Sequence, residues 1–465
     1  ASRAAPPVPQ HPAMVADVVA DAQKRKLEGE GAEAAGAPTD GAAVAKRAAG
    51  VPAPMEVDLG GAMKSEDFNT DLLRVYYDRL MPHTQLVRWL TYRNDPKSGS
   101  PNVQKDFFLR REFTFVLEGD IFCRYMCFRD AEEFKQQICA RQPIRFEIGA
   151  VFTHPPKNHN TVIKEAYKPL ERELVFDIDM DDYDEIRTCC TGAKVCIKCW
   201  TFMKVAMKTL QRVLREDFGF KHMFFVYSGR RGMHCWVCDK AARQLSNEYR
   251  AAVADYVTMV AGGVNKVRAD IRMNGCDELH PSIQEAYKIC EYYFRDDPNG
   301  VLRGQEILTK GPHLANLLEG MTFTEQETIS KFVKKHPNAG SRDIWRQLEK
   351  LKEERARTAQ TFKHKQELKT FLTDTVLQFS YPRLDVNVSK QMNHLLKSPF
   401  CVHPKTGRVC VPIDPDKMDE FDPAKVPTIG QLVDELNAGV DVRQTSLRQY
   451  THYFEESFLQ PLERE

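Results

Sequence analysis

Apolar side chains recur at helical spacing at Leu72, Leu73, Tyr76, Tyr77 and Leu80, and Pro82 closes the run; this predicts a helix at the start of a folded region beginning near Met63. Short β-like runs follow at 113–117 and 144–152, then an apolar strand at 173–179. A helix is predicted at 201–216, with Phe202, Val205, Ala206, Leu210, Val213 and Leu214 on one stripe and Gly219 just past its end. Two more strands, 223–227 and 234–238, flank a loop whose Gly229 and Gly232 suit backbone that bends or approaches a ligand closely. Residues 245–380 read as mainly helical, with the charged stretch 346–369 as the wet face of a helix. β character returns at 382–388 and at 402–413, the latter a hairpin turning at 404–407. No solenoid-type repeat occurs.

Residues 1–62 are rich in Ala, Gly and Pro and hold no Phe, Trp or Tyr, a composition that predicts disorder. Lys24-Arg25-Lys26 and Lys46-Arg47 suit pieces of a nuclear-import signal and equally an unselected solvated tail. The 465 residues are 42% apolar and 28% charged, enough for a substantial core, and a net charge of +1 means that nucleic-acid binding must come from a local cluster. No window approaches the roughly 18 apolar residues of a membrane span, and the first residues lack a secretory apolar core, so an intracellular protein without membrane contact is expected. Thirteen cysteines, an odd number in a long core-forming chain, suit free thiols in a reducing compartment.

Alternate strand residues share a face, so Asp177 and Asp179 should point together while Phe176 and Ile178 face the core. Two carboxylates on a rigid strand make a platform for the divalent ions of phosphoryl transfer, although acidic strand ends are also common without an ion. The loop Ser228-Gly-Arg-Arg-Gly-Met-His234 offers a hydroxyl, two guanidiniums and an imidazole, the groups a triphosphate requires; a plain polar β-turn is the alternative. No P-loop motif is present. Cys189, Cys190, Cys196 and Cys199 are dense enough for a closed, structural S4 site suited to zinc, with Lys194 and Lys198 to offset its charge; four unrelated thiols are the alternative. Cys235 and Cys238 face opposite ways on a strand and read as core thiols.

The segments REF at 111–113, ELVFDIDMDDYD at 173–184, the four cysteines, VYSGRRGMHCWV at 226–237, PRLDVNVSK at 382–390 and LLKSPFCVHPKTGR at 395–408 occur in one order. In that order they resemble the eukaryotic DNA primase small, catalytic subunit of the archaeo-eukaryotic primase superfamily, over about 63–465. The resemblance implies an α/β (α+β) primase fold: a two-sheet catalytic core with the active site between the sheets, a helical subdomain and a small zinc-binding insert. The implied organisation is a core at 63–244 with the insert at 186–200, a helical subdomain at 245–380, and completion of the core at 381–465.

The resemblance further implies that Asp177, Asp179 and Asp385 bind two Mg²⁺ or Mn²⁺ ions, and that Ser228, Arg230, Arg231 and His234 contact the nucleoside triphosphate. Lys397 and His403 are then the cations completing the phosphate cradle, Glu112 and Arg124 line the site from the first sheet, and Leu395 and Leu396 lie near the base or sugar. The implied activity is template-directed RNA primer synthesis from ribonucleoside triphosphates on single-stranded DNA. Implied partners are a primase large subunit and, through it, the DNA polymerase alpha complex, in the nucleus. A repair or translesion primase-polymerase and a non-catalytic DNA-binding subunit of the same fold are the alternatives. Phe122 departs from the Tyr that related chains commonly carry, and the long N-terminal extension and short C-terminal tail depart as well.

Overall fold

The computed structural model describes residues 68–94, 103–261, 266–267 and 279–464, so the expected disordered tail and its basic clusters lie outside the described residues. Asn69 caps the first helix, α1 (Thr70–Val75), by accepting the Leu72 N–H at 2.8 Å, and the chain runs on into a π-helical turn, Tyr76–Leu80. That turn buries Tyr76 and Tyr77 completely while their hydroxyls donate to the Phe400 carbonyl at 2.8 Å and the Pro143 carbonyl at 2.6 Å. Large aromatic area is thus buried without orphaning a polar tip.

The strands form two antiparallel sheets. One contains β1 (Arg111–Leu117), β2 (Ile121–Met126), β3 (Arg145–Phe152), β4 (Pro169–Glu171) and β8 (Leu396–Lys397), in the order β8-β3-β1-β2 with β4 also against β3. The other contains β5 (Leu174–Ile178), β6 (Met223–Tyr227), β7 (Met233–Val237) and β9 (Pro412–Ile413), in the order β9-β6-β7-β5. A further two-residue pair joins Val260–Ala261 to Lys266–Val267. Helices α2 (His83–Thr91), α3 (Ala131–Arg141) and α4 (Ile197–Glu216) pack with the sheets, and α5 (Asn247–Val257) to α10 (Phe362–Ser380) make the middle of the chain helical. Phe176, Ile178, Phe225, Cys235 and Trp236 are fully buried, as are Val205, Ala206 and Leu214 on the stripe of α4.

Four local expectations change. Helix α4 begins four residues early, at Ile197, with Cys196 at the cap position and its N–H donating to the Cys199 sulfur at 3.2 Å; cysteine is not a usual residue there, so the sequence hides this start. The segment 382–388 is not a strand: Asp385 caps the short helix α11 (Val386–Lys390), whose Ser389 hydroxyl donates to the Val175 carbonyl at 2.6 Å. The 402–413 hairpin turns as expected but has only a Val402–Val409 bridge, and Pro412–Ile413 leave it to pair with β6. Within the charged stretch, Lys352 of α9 (Ser341–Thr358) is buried against Glu325 at 3.1 Å, so that helix face is not uniformly wet.

A buried ion network joins the sheets. Arg111 of β1 holds Glu173, at the mouth of β5, through two bonds of 3.0 Å; Arg172 adds one at 2.9 Å and the Tyr92 hydroxyl one at 2.6 Å. Burial alone would push the Glu173 carboxyl up, but the two arginines outweigh it and hold it far below the usual range. Arg172 also donates to the His394 carbonyl at 3.3 Å, tying the chain just ahead of β8 to the same junction.

Candidate active site

Strand alternation puts Phe176 and Ile178 in the core and leaves Asp177 partly open, directly opposite His234 of β7, with the His234 Nε2 3.5 Å from an Asp177 oxygen. Asp179 follows the strand and caps a 3₁₀ turn, Met180–Tyr183. Although 208 residues separate them in sequence, Asp385 is brought to this edge by its N–H, which donates to the Asp177 carbonyl at 3.1 Å. Burial, and then the charge of Asp179, pushes the Asp177 carboxyl up to about 7, with Asp385 adding to the rise and Lys397 opposing it. Asp182, which the sequence did not single out, is raised by burial and then by Asp179 and Asp385.

The β6–β7 loop is pressed against this carboxylate group. A Cβ at position 232 would meet the Ile178 carbonyl oxygen at 2.3 Å, and one at position 229, where the backbone has φ +86°, would meet the His403 Cβ at 2.6 Å. The Ser228 hydroxyl accepts the Gly232 N–H at 3.0 Å, the Lys397 Nζ donates to the Ser228 carbonyl at 2.5 Å, and the Thr406 hydroxyl donates to the Gly229 carbonyl at 2.6 Å. Lys397 belongs to β8 of the other sheet, so the site lies where the sheets face each other. Thr406 also escaped the sequence reading, because a buried hydroxyl on a turn carries no pattern.

Arg231 does not point to open space. It pairs with Asp179 at 2.8 Å and also with Asp181. Arg230 keeps a buried Nε with no partner. The histidines are not cations here: burial and then Lys397 push His234 down to about 3, and burial, Lys397 and Arg230 push His403 down to about 2. The positive charge therefore resides in Arg230, Arg231 and Lys397. From the first sheet, buried Glu112 is bonded to Arg124 at 3.0 Å, and Glu112 and Leu395 both crowd Gly149. Leu396 of β8, opposite Ile148 of β3, is buried, on the other face of the strand from Lys397. Phe122 is 53% exposed, with the Arg145 guanidinium 5.6 Å from its ring centre.

Among the described residues, Cys189, Cys190, Cys196 and Cys199 are the one group of three or more His, Cys, Asp or Glu whose ligand atoms all lie within 4.8 Å of one another. Tetrahedral zinc at about 2.3 Å from each sulfur spaces them by about 3.8 Å, and Cys196 and Cys199 stand 4.0 Å apart. Hydrogen bonds from Cys189 and then Cys199 hold the Cys196 thiol well below its usual range, while the hydrogen bond to Cys196 pushes Cys189 well above it, so without a metal the cluster favours a single thiolate. The cluster could therefore hold a metal such as zinc. The aspartates are spread more widely, but an acid forced toward its proton by burial and by neighbouring carboxylates is a donor that a hard divalent cation relieves, and all three donors are oxygen.

Residues 176–415 match the family model described as DNA primase small subunit. The chain is 42% identical over 376 residues to the DNA primase small subunit of Drosophila melanogaster, covering 79% of this chain and 82% of that one. It is 36% identical over 396 residues to the subunit of that name from Saccharomyces cerevisiae, covering 85% and 92%. The DNA primase small subunit PriS of the archaeon Thermococcus kodakarensis is 26% identical over 324 residues, covering 68% and 83%. The chain belongs to the DNA primase small-subunit family, whose members are nucleotidyltransferases. No helix among the described residues is long and apolar enough to cross a membrane.

Proposed function

We propose that this chain is the catalytic subunit of a DNA primase, joining ribonucleotides into short RNA primers on a single-stranded DNA template for replication. The observation that carries this reading is the meeting of Asp177, Asp179 and Asp385 with a loop whose Ser228 carbonyl is gripped by Lys397 of the opposite sheet. Asp177, Asp179 and Asp385 would hold Mg²⁺ or Mn²⁺. Two such ions, when bound, lower the pKa of an attacking 3′-hydroxyl and neutralise the departing pyrophosphate.

The chain's own residues do the rest. Arg230, Lys397 and Arg231, once Arg231 turns from Asp179, bind the triphosphate as a cationic wall, and Ser228 keeps the loop in shape. His234 and His403, neutral and largely buried, offer N–H donors to phosphate oxygens and gain charge only beside an anion. Leu395, beside Glu112 and Arg124, gives the sugar or base an apolar edge. Orientation of the reacting groups then supplies much of the rate. Residues 63–244 and 381–465 form the catalytic core, 245–380 the attached helical subdomain, and the four cysteines a closed structural zinc site at 186–200.

This reading extends to a nuclear protein that works with a primase large subunit, for which the words small subunit in the names of its eukaryotic relatives are the support, and that passes primers to the DNA polymerase alpha complex. The test is template-directed incorporation of labelled ribonucleotides by the purified chain onto an oligoribonucleotide annealed to single-stranded DNA, with Mg²⁺ or Mn²⁺. Extension is expected. Preferential incorporation of deoxyribonucleotides across a lesion would favour a repair polymerase, and DNA binding without incorporation a non-catalytic subunit.

A further inference from the structure

The cysteine cluster has a neighbour from a distant part of the chain. A π-helical turn, Val301–Gln305, brings Gln305 against it: the side-chain amide donates to the Cys189 sulfur at 3.3 Å, and its oxygen accepts the Thr188 N–H at 2.8 Å. The Thr188 hydroxyl also bonds the Gln305 carbonyl, and Gln305 is only 1% exposed. Short π-turns cost helical regularity and tend to persist where they place a side chain. Gly304 makes this one possible, since any Cβ there would lie 2.2 Å from the Asn299 carbonyl oxygen.

From Gln305 the contacts run in both directions. Its successor Glu306 accepts the Ser341 N–H at 2.8 Å, at the start of α9, and Ser341 in turn accepts the Leu308 N–H at 2.9 Å. On the other side, buried Arg187 reaches the Lys194 carbonyl at 2.8 Å and the Gly192 carbonyl at 2.6 Å and pairs with Asp184. Asp184 also accepts the Gly192 N–H at 2.9 Å, and it ends the 3₁₀ turn that Asp179 begins. The cysteine loop thus sits between the carboxylate turn and the helical part of the chain.

Resting on the reading that the four cysteines hold zinc, we propose that Gln305 is a positioning residue of that site, so that the metal fastens the helical region to the turn carrying Asp179. An N–H donated to a metal-bound thiolate withdraws charge from the sulfur and fixes its direction, and loss of such outer partners typically weakens metal binding about 10- to 100-fold. A glutamate at 305 retains the oxygen that accepts from Thr188 but replaces the donor with negative charge facing a thiolate. The order of zinc retention should therefore be Gln, then Ala, then Glu.

The test measures zinc release from the full chain to a chromogenic chelator, with hydrogen exchange read over 184–192 and 300–308. Wild type should carry about one zinc; Gln305→Ala should lose it about tenfold faster, and Gln305→Glu faster still. Exchange should rise in both segments. Equal release rates in all three proteins, or Gln305→Glu retaining zinc better than Gln305→Ala, would overturn the role of Gln305 while leaving the metal reading intact. A wild-type chain that carries no zinc overturns both.

Discussion

Arg231 of the β6–β7 loop grips Asp179 with two nitrogens, Nε at 2.8 Å and Nη2 at 3.0 Å. One member of the proposed triphosphate cradle thus neutralises one member of the proposed ion platform. Binding an ion at Asp179 and a triphosphate beside it exchanges this pair for two stronger ones.

Arg231→Ala should therefore have opposite effects on the two ligands. Both side chains are partly open, 27% and 39% exposed, so the pair is worth about 1 kcal/mol rather than the several of a dry one. Mn²⁺ affinity without nucleotide should rise a few-fold, while KM for ribonucleotides rises about tenfold and alike for all four bases. A base-selective change would show that the loop reads the base.

The raised Asp177 carboxyl predicts a pH dependence. Its folded value of about 7 lies above the ordinary 3.8, so the unfolded chain gives up this proton first as pH rises. Stability from this group is full below about pH 4 and is lost progressively up to about pH 7. Asp177→Asn removes that loss. In EDTA the variant should be more stable than wild type by about 1–2 kcal/mol at pH 8, after discounting for water at the 30% exposed side chain, and the gap should close toward pH 4. Urea unfolding across this range checks it, and a variant less stable at pH 8 would contradict the crowded-carboxylate reading.

Glu173 should behave in the reverse way. Its removal leaves Arg111 and Arg172 buried and unpaired, which typically costs about 3–5 kcal/mol. Glu173→Ala should unfold at clearly lower denaturant than wild type at neutral pH. A loss under about 1 kcal/mol would mean that the junction between the sheets is wetter than its full burial implies.

The pair Asp177–Asp179 and the loop 228–234 were legible because strand alternation and glycine spacing are local signals. Asp385 was reached only through resemblance: it lies next to valines in a run that reads as β, and its true place as a helix cap depends on contacts to β5. Leu395 and Leu396 look equivalent in sequence, and only pairing with Ile148 sends Leu396 inward. Charge states were less legible still. His403 reads as a cation by residue type, yet burial among Lys397 and Arg230 keeps it neutral. Glu173 finds Arg111 62 residues away, and Cys189 finds Gln305 116 residues away; such distances leave no periodicity to read.

The most direct test counts Mn²⁺ bound by the chain in the presence of a ribonucleotide whose α–β phosphate bond cannot be cleaved, by electron paramagnetic resonance titration. Wild type should bind two ions tightly and Asp179→Asn at most one, as expected when the aspartates form a shared platform facing the cradle. Two tightly bound ions retained in Asp179→Asn, or none in wild type, would contradict the assignment of this carboxylate group as the catalytic centre.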